Sequence, residues 1–246
     1  MNTKAPLAAA RAMQQLRRIP GAGGTVAVGG ARELVPLLAA ELRAGGDAGA
    51  VTENRADGHP AALVWIGKPD EATLRAAARN GIPIVGVTEG ESLPYVLDTN
   101  LVRVEAGRGL PVQAVAAALA RALGDRGPGV AARLPVLRRP VLDVLARRTA
   151  RRNGVIGAAA FLKGADLPAL TLNEAVLAVR MAVASGRRAE PEVLWPELAA
   201  VLATGLASRR LSRALRGLPV KGFLVDGAVA FLGTAALGEL LRRRFA

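Results

Sequence analysis

The stretch AALVWIGKPDEATLRAAARNGIPIVGVTEG, residues 61–90, decides the fold of the first half of the chain. Within it, Ala62-Leu-Val-Trp-Ile66 and Pro83-Ile-Val-Gly-Val87 are almost uninterrupted apolar runs, too short for helices and rich in β-branched and aromatic residues. Such runs read as strands covered on both faces. Between them, Asp70–Asn80 has helical spacing, with Asp70 placed to cap its start and Gly81 to stop it. A strand, a helix and a second strand make a crossover unit, which joins parallel neighbours. The pattern extends outward in both directions. Thr25-Val-Ala-Val28 runs into Gly29-Gly30 and then into Ala31–Ala44, where Leu34, Leu37, Leu38, Ala40 and Leu42 recur at helical spacing. Ala48–Glu53 is a weaker strand, and Leu101–Val104 with Val112–Leu123 supplies a last strand and helix. The expectation is an α/β domain, a small parallel Rossmann-like sheet with helices on both faces.

Ligands of such sheets bind beyond the carboxyl ends of the strands, which here are Gly29 and Gly30, Gly67 and Lys68, and Thr88 and Glu89. A glycine pair at a strand-to-helix turn lets backbone N–H groups approach a phosphate, but it serves a plain tight turn equally well. Neither G-x-G-x-x-G after the strand nor G-x-x-x-x-G-K-[ST] occurs. Lys68 precedes Pro69-Asp70 and reads as the lead-in to a helix, while Gly21-Ala-Gly-Gly24 reads as linker. Glu89, Glu91 and Asp98 make an acidic stretch at the same edge, where Tyr95 has no evident partner. Trp65 is expected in the core, and Trp195, before Pro196, at a helix entry.

Composition narrows the chemistry. The 246 residues are 51% apolar and 22% charged, with one His and no Cys. Disulfides, thiolate metal sites and cysteine nucleophiles are excluded. Any Ser-His pair would have to use His59, between Gly58 and Pro60 in a loop. No catalytic residue, metal ligand or cofactor is therefore assigned, and the chain leans away from enzymes.

The second half differs in charge and pattern. Residues 1–125 carry 13 basic and 12 acidic side chains, whereas 126–246 carry 20 and 8. Gly127-Pro-Gly129 marks the expected boundary, giving an N-terminal arm over 1–20, the α/β domain over 21–126 and an all-α domain over 128–246. Pro135–Arg152 reads as a basic amphipathic helix bearing Arg138, Arg139, Arg147, Arg148, Arg151 and Arg152, followed by a short apolar stretch, Asn153–Leu162. Thr171–Ser185 opens with the capping box Thr171 to Glu174. Glu192–Leu215 adds Arg209, Arg210 and Arg213. Leu218–Leu241 is broken by Lys221, Asp226 and Glu239, falls short of the ~18 uncharged apolar residues of a membrane span, and reads as a buried or interfacial helical hairpin. Its Gly222, Gly227, Gly233 and Gly238 suit close helix packing, in water or in lipid.

From Ala62 to Leu123 the order of elements resembles the second half of an Era-like GTP-binding domain, down to the Gly109-Leu-Pro111 lead into the last helix. Thr88-Glu-Gly-Glu91 stands where that family reads guanine with N/T-K-x-D, so Glu89 replaces the Lys and Glu91 the Asp. The resemblance implies a pseudo-GTPase. The second half resembles the helical domain of unknown function that follows some Era-like GTPase domains and also occurs in bacterial inner-membrane-associated proteins. The residues carrying this are Leu170–Gly186, Leu218-Pro-Val-Lys-Gly222, Ala228–Gly238 with Thr234, and Phe245. It implies an association with membranes and no known chemistry.

The resulting expectation is a non-catalytic bacterial protein, cytoplasmic or peripheral to the inner membrane, whose basic helical domain meets an anionic membrane surface or a protein partner. Homo-oligomerisation through the C-terminal helices is a further expectation. The alternatives are a soluble nucleotide or small-molecule sensor, enzymatic or not, using the strand-end edge, and a DNA-associated protein. For the last, base-stacking aromatics are almost absent near the basic helices, so nucleic-acid binding would be nonspecific.

Overall fold

A computed structural model of the chain describes residues 22–54, 59–90, 92–105, 107, 109–160, 167–187 and 222–245, with single helical positions between 199 and 214. The expected N-terminal arm, Trp195, Glu91, Arg209 and Arg213 lie outside the described residues. The chain forms two compact units, an α/β unit over Pro20–Val141 with Ala184–Gly186, and a helical unit whose described residues fall within Leu142–Val183 and Arg187–Ala246.

The α/β unit carries a five-stranded parallel sheet in the order β2-β1-β3-β4-β5, formed by β1 (Val26–Gly30), β2 (Val51–Glu53), β3 (Ala62–Ile66), β4 (Ile84–Thr88) and β5 (Leu101–Arg103). This is a doubly wound arrangement, with the order of strand addition reversing between β1 and β3. Alternation along the strands sends Ala27, Leu63, Trp65 and Ile84 into one cluster with Leu74 and Ala77 of α2 (Glu71–Arg79), Ile82 and Leu93. The other residues of the same strands, Val26, Val28, Val64, Ile66, Val85 and Val87, are equally buried. Helices α1 (Leu34–Arg43) and α3 (Val112–Leu123) pack on each other and on the strands. Burial on both faces is the reason the strands are continuously apolar rather than alternating.

Asp70 caps α2 as expected, accepting from the Ala72 N–H at 3.1 Å and from the Thr73 hydroxyl at 2.7 Å, and the latter bond holds its carboxyl below the usual range. The two glycine-rich segments differ from expectation. Gly21-Ala-Gly-Gly24 has the composition of a linker, yet the Gly23 N–H donates to the Gly129 carbonyl at 3.0 Å and a Cβ on Gly24 would stand 3.1 Å from Val130. Gly127, Pro128 and Gly129 are buried inside a short helix, α4 (Gly127–Arg133), and the compact unit continues to Val141. Arg133 completes the seam, pairing with Asp47 at 2.8 Å and donating to the Gly24 carbonyl at 2.7 Å. Here the glycines serve close approach of two backbones.

The helical unit differs in three places. The basic helix does not stop at Arg152: α5 runs unbroken from Pro135 to Ala160 and takes in the stretch expected to be separate. Helix α6 begins at Leu167 and ends at Ala184, so Thr171 and Glu174 stand within it and cannot form a capping box. Instead of a hairpin, one helix, α7, spans Gly222–Phe245. A hairpin needs a turn between its arms, and Gly227, Gly233 and Gly238 all keep helical backbone.

Candidate functional site

The strand-end edge brings together the six residues expected there. Gly29 and Gly30 close β1, Gly67 and Lys68 follow β3, and Thr88 and Glu89 end β4, in register through the pairs Gly30 with Ile66 and Ile66 with Val87. Both glycines belong to the strand itself, and the turn comes after them. A Cβ on Gly29 would sit 2.9 Å from the Trp65 ring, and one on Gly30, at φ +116°, would run into the Ile66 backbone. The Ala31 N–H donates to the Ile66 carbonyl at 2.9 Å, bridging β1 and β3 where the chain order reverses. The Trp65 indole donates to the Lys68 carbonyl at 2.8 Å, and the Gly67 N–H to the Val87 carbonyl at 2.8 Å. Thr88 is buried and Glu89 exposed. The two backbone bonds continue the ladders of the sheet by one rung, and the indole bond holds the turn after β3. Tyr95 has a partner after all, since its hydroxyl accepts from Arg75 Nε at 3.0 Å while Arg75 also pairs with Glu71. Among the described residues, no three His, Asp or Glu side chains gather as a metal site.

In the helical unit, α5 and α7 meet along a seam of small residues. A Cβ on Gly154 would lie 3.2 Å from Phe231, one on Gly157 2.7 Å from Ala230, one on Gly227 3.0 Å from Ala158, and one on Gly238 2.8 Å from Ala146. Positions rise along α5 as they fall along α7, so the helices run antiparallel at near-backbone contact. Gly227 and Gly238 therefore pack as expected. Gly233 is half-buried, and the surroundings of Gly222 lie outside the described residues. Gly154 and Gly157, the opposite half of the seam, went unmarked in the sequence because they sit in what read as a separate segment.

Behind the seam lies a buried polar chain that sequence reasoning also missed. Asn153 Nδ2 donates to Thr234 Oγ1 at 2.9 Å, Thr234 Oγ1 donates to Glu174 Oε1 at 2.9 Å, and Asn173 Nδ2 donates to Asn153 Oδ1 at 2.8 Å. Asn153 and Thr234 are fully buried and Glu174 is 5% exposed. Burial raises the Glu174 carboxyl above its ordinary value, and the Thr234 bond opposes this in part. The network joins α5, α6 and α7 and fixes their register.

The basic positions divide. Arg139, Arg147, Arg148, Arg151, Arg152 and Arg210 are exposed. Arg138 is half-buried, and its buried Nε has no hydrogen-bond partner among the described residues. At the far end of α7, Arg242 pairs with Glu239 at 2.6 Å and Asp143 at 3.5 Å, and Arg243 pairs with Glu239 at 2.8 Å. These arginines hold the Glu239 carboxyl below its usual range. Phe245 is buried, with the Arg187 guanidinium 5.0 Å from its ring centre. Leu224–Phe245 is the one described helix segment long and apolar enough to cross a membrane, with mean hydropathy 1.6, a test that the core helix of a soluble protein also passes.

Fold and edge define a doubly wound, Rossmann-like α/β protein extended by a helical unit. Comparison with known proteins finds no matching family model, no matching curated protein and no matching solved structure.

Proposed function

We propose that this chain is a non-catalytic bacterial protein in which a degenerate GTPase-like α/β module is joined to a basic helical unit that associates with an anionic membrane surface, placing the protein in the cytoplasm or at the inner membrane's inner face. One observation carries the reading. Arg147-Arg-Thr-Ala-Arg-Arg152 presents four exposed arginines on α5, while Ala150 and Asn153 point into the unit. Helical basic clusters gain about 1 kcal/mol per Lys or Arg near an anionic bilayer. The degenerate-module part is supported by the missing phosphate and guanine motifs.

The test is co-sedimentation of the full chain with phosphatidylglycerol or phosphatidylcholine vesicles across a salt series. Binding confined to anionic vesicles and reversed by salt is expected. Indifference to both vesicle types refutes the reading and returns a protein partner, with nucleotide binding at the strand-end edge as the next measurement.

A further inference from the structure

We infer that the helical unit docks on an anionic phospholipid bilayer through one two-helix face, in which α5 supplies the arginines and α7 the apolar contacts, with both helices lying in the surface. This rests on the reading above and adds to it which face, which residues and which depth.

The geometry comes from the seam. At 100° per residue, the exposed positions of α5, from Arg147 to Val155, lie about a third of a turn from the residues that touch α7. The exposed positions of α7, Leu224, Ala228, Leu232 and Ala236, lie about a third of a turn, in the same rotational sense, from those that touch α5. Because the helices run antiparallel, equal rotation in the same sense turns both exposed sectors to the same side. Phe231, 40% exposed, sits where the two sectors meet, against Gly154. The shared face therefore carries Leu224, Phe231, Leu232 and Val155, the last 71% exposed, and it is edged by the Arg147–Arg152 cluster and by Arg243.

An apolar strip beside arginines suits the boundary between acyl chains and anionic headgroups. The charge also decides among occupants. A second copy packed face to face would set one set of arginines against another, with Glu239 as the one carboxylate in this sector among the described residues and already paired to Arg242 and Arg243. Depth follows from the interior of the unit. For α7 to cross the bilayer it would have to leave the glycine seam and free Thr234 from Asn153 and Glu174, whereas lying flat keeps both intact.

The chain has no Cys, so single cysteines give clean reporters. Leu232→Cys, Val155→Cys and, as a control in the α/β unit, the exposed Ala40→Cys would each carry an environment-sensitive fluorophore on the full chain. With phosphatidylglycerol vesicles, the labels at 232 and 155 are expected to shift to the blue and be quenched by spin-labelled lipid, with the label at 40 unchanged. A carbonate wash is expected to release the protein. Arg147→Ala with Arg151→Ala should weaken partitioning about 25-fold at low salt, and Leu232→Glu at least about tenfold, with unchanged far-ultraviolet circular dichroism. If salt-sensitive binding persists while the labels at 232 and 155 stay in water, this face is refuted and the surface reading survives. If only the label at 232 responds and binding resists carbonate, α7 crosses the bilayer and the in-plane arrangement is overturned. Equal partitioning into phosphatidylcholine overturns the role of charge. Absence of any binding overturns both readings.

Discussion

Replacing Thr234 by Val keeps the shape of the side chain and removes one hydroxyl that two neighbours use. That hydroxyl accepts from Asn153 and donates to Glu174, each at 2.9 Å, at a position with no exposure to solvent. Its loss leaves a buried amide N–H and a buried carboxyl oxygen short of a partner, at about 1–3 kcal/mol each. The expected destabilisation of the helical unit is therefore about 2–6 kcal/mol, with nothing recovered from packing. In a Trp195→Phe background, urea titration followed by far-ultraviolet circular dichroism reads the helices of both units, and the fluorescence of Trp65, in the core of the sheet and then the sole tryptophan, reads the α/β unit separately. The helical transition should move and the sheet transition should not. Pairing Thr234→Val with Glu174→Met sharpens the test, because the Val substitution then costs only the Asn153 bond; a coupling of about 1 kcal/mol or more is expected. A helical midpoint shifted by less than about 0.5 kcal/mol, or zero coupling, would refute a network in which each member depends on the others.

Glu174 also gives the helical unit a pH dependence. Its folded-state pKa is raised by burial, so its contribution is fully present below the unfolded value, ordinarily near 4.5, and is lost as pH rises through the folded value. Stability should therefore fall across the range above pH 4.5 and flatten beyond the folded value, and Glu174→Gln should remove that slope in urea titrations at several pH values. Gly157→Ala should destabilise the helical unit by about 1–2 kcal/mol even though Ala favours helix by about 1 kcal/mol, because its methyl would stand 2.7 Å from Ala230 and 2.8 Å from the Asp226 carbonyl; a stabilised variant would show that the seam can spread. In the sheet, Gly30→Ala sets a methyl against the Ile66 backbone at φ +116° and should cost about 3 kcal/mol or more, whereas Gly45→Asn, at φ +69° with open space around it, should cost under about 1 kcal/mol. Trp65 fluorescence during denaturation, in the same Trp195→Phe background, measures both.

Sequence alone determined the order and type of the elements around the sheet. Val26–Val28, Ala62–Ile66 and Ile84–Val87 are buried on both faces, and a strand of that kind announces itself by an unbroken apolar run bounded by Gly, Pro and Asp. The Asp70 cap was legible for a similar reason, since the side chain and the N–H groups it satisfies lie within three residues. The candidate edge was legible as a set of positions, because strand ends in a parallel sheet fall on one side.

What the tertiary structure decided are the contacts between residues far apart in the chain. Gly23 and Gly24 meet Gly129 and Val130 across roughly a hundred residues, so glycines that punctuate a chain locally turned out to close a seam. Thr171 and Glu174 matched a helix start by spacing, but the backbone was already helical from Leu167, and Glu174 answers instead to Thr234, sixty residues away. Gly154 and Gly157 had no signal of their own, because a small residue in a helix acquires meaning only from the helix against it. The side on which the arginines of α5 and the leucines of α7 both fall likewise depends on the antiparallel seam. Local spacing fixes which face of a helix is polar, and only the packing of a second helix fixes where that face looks.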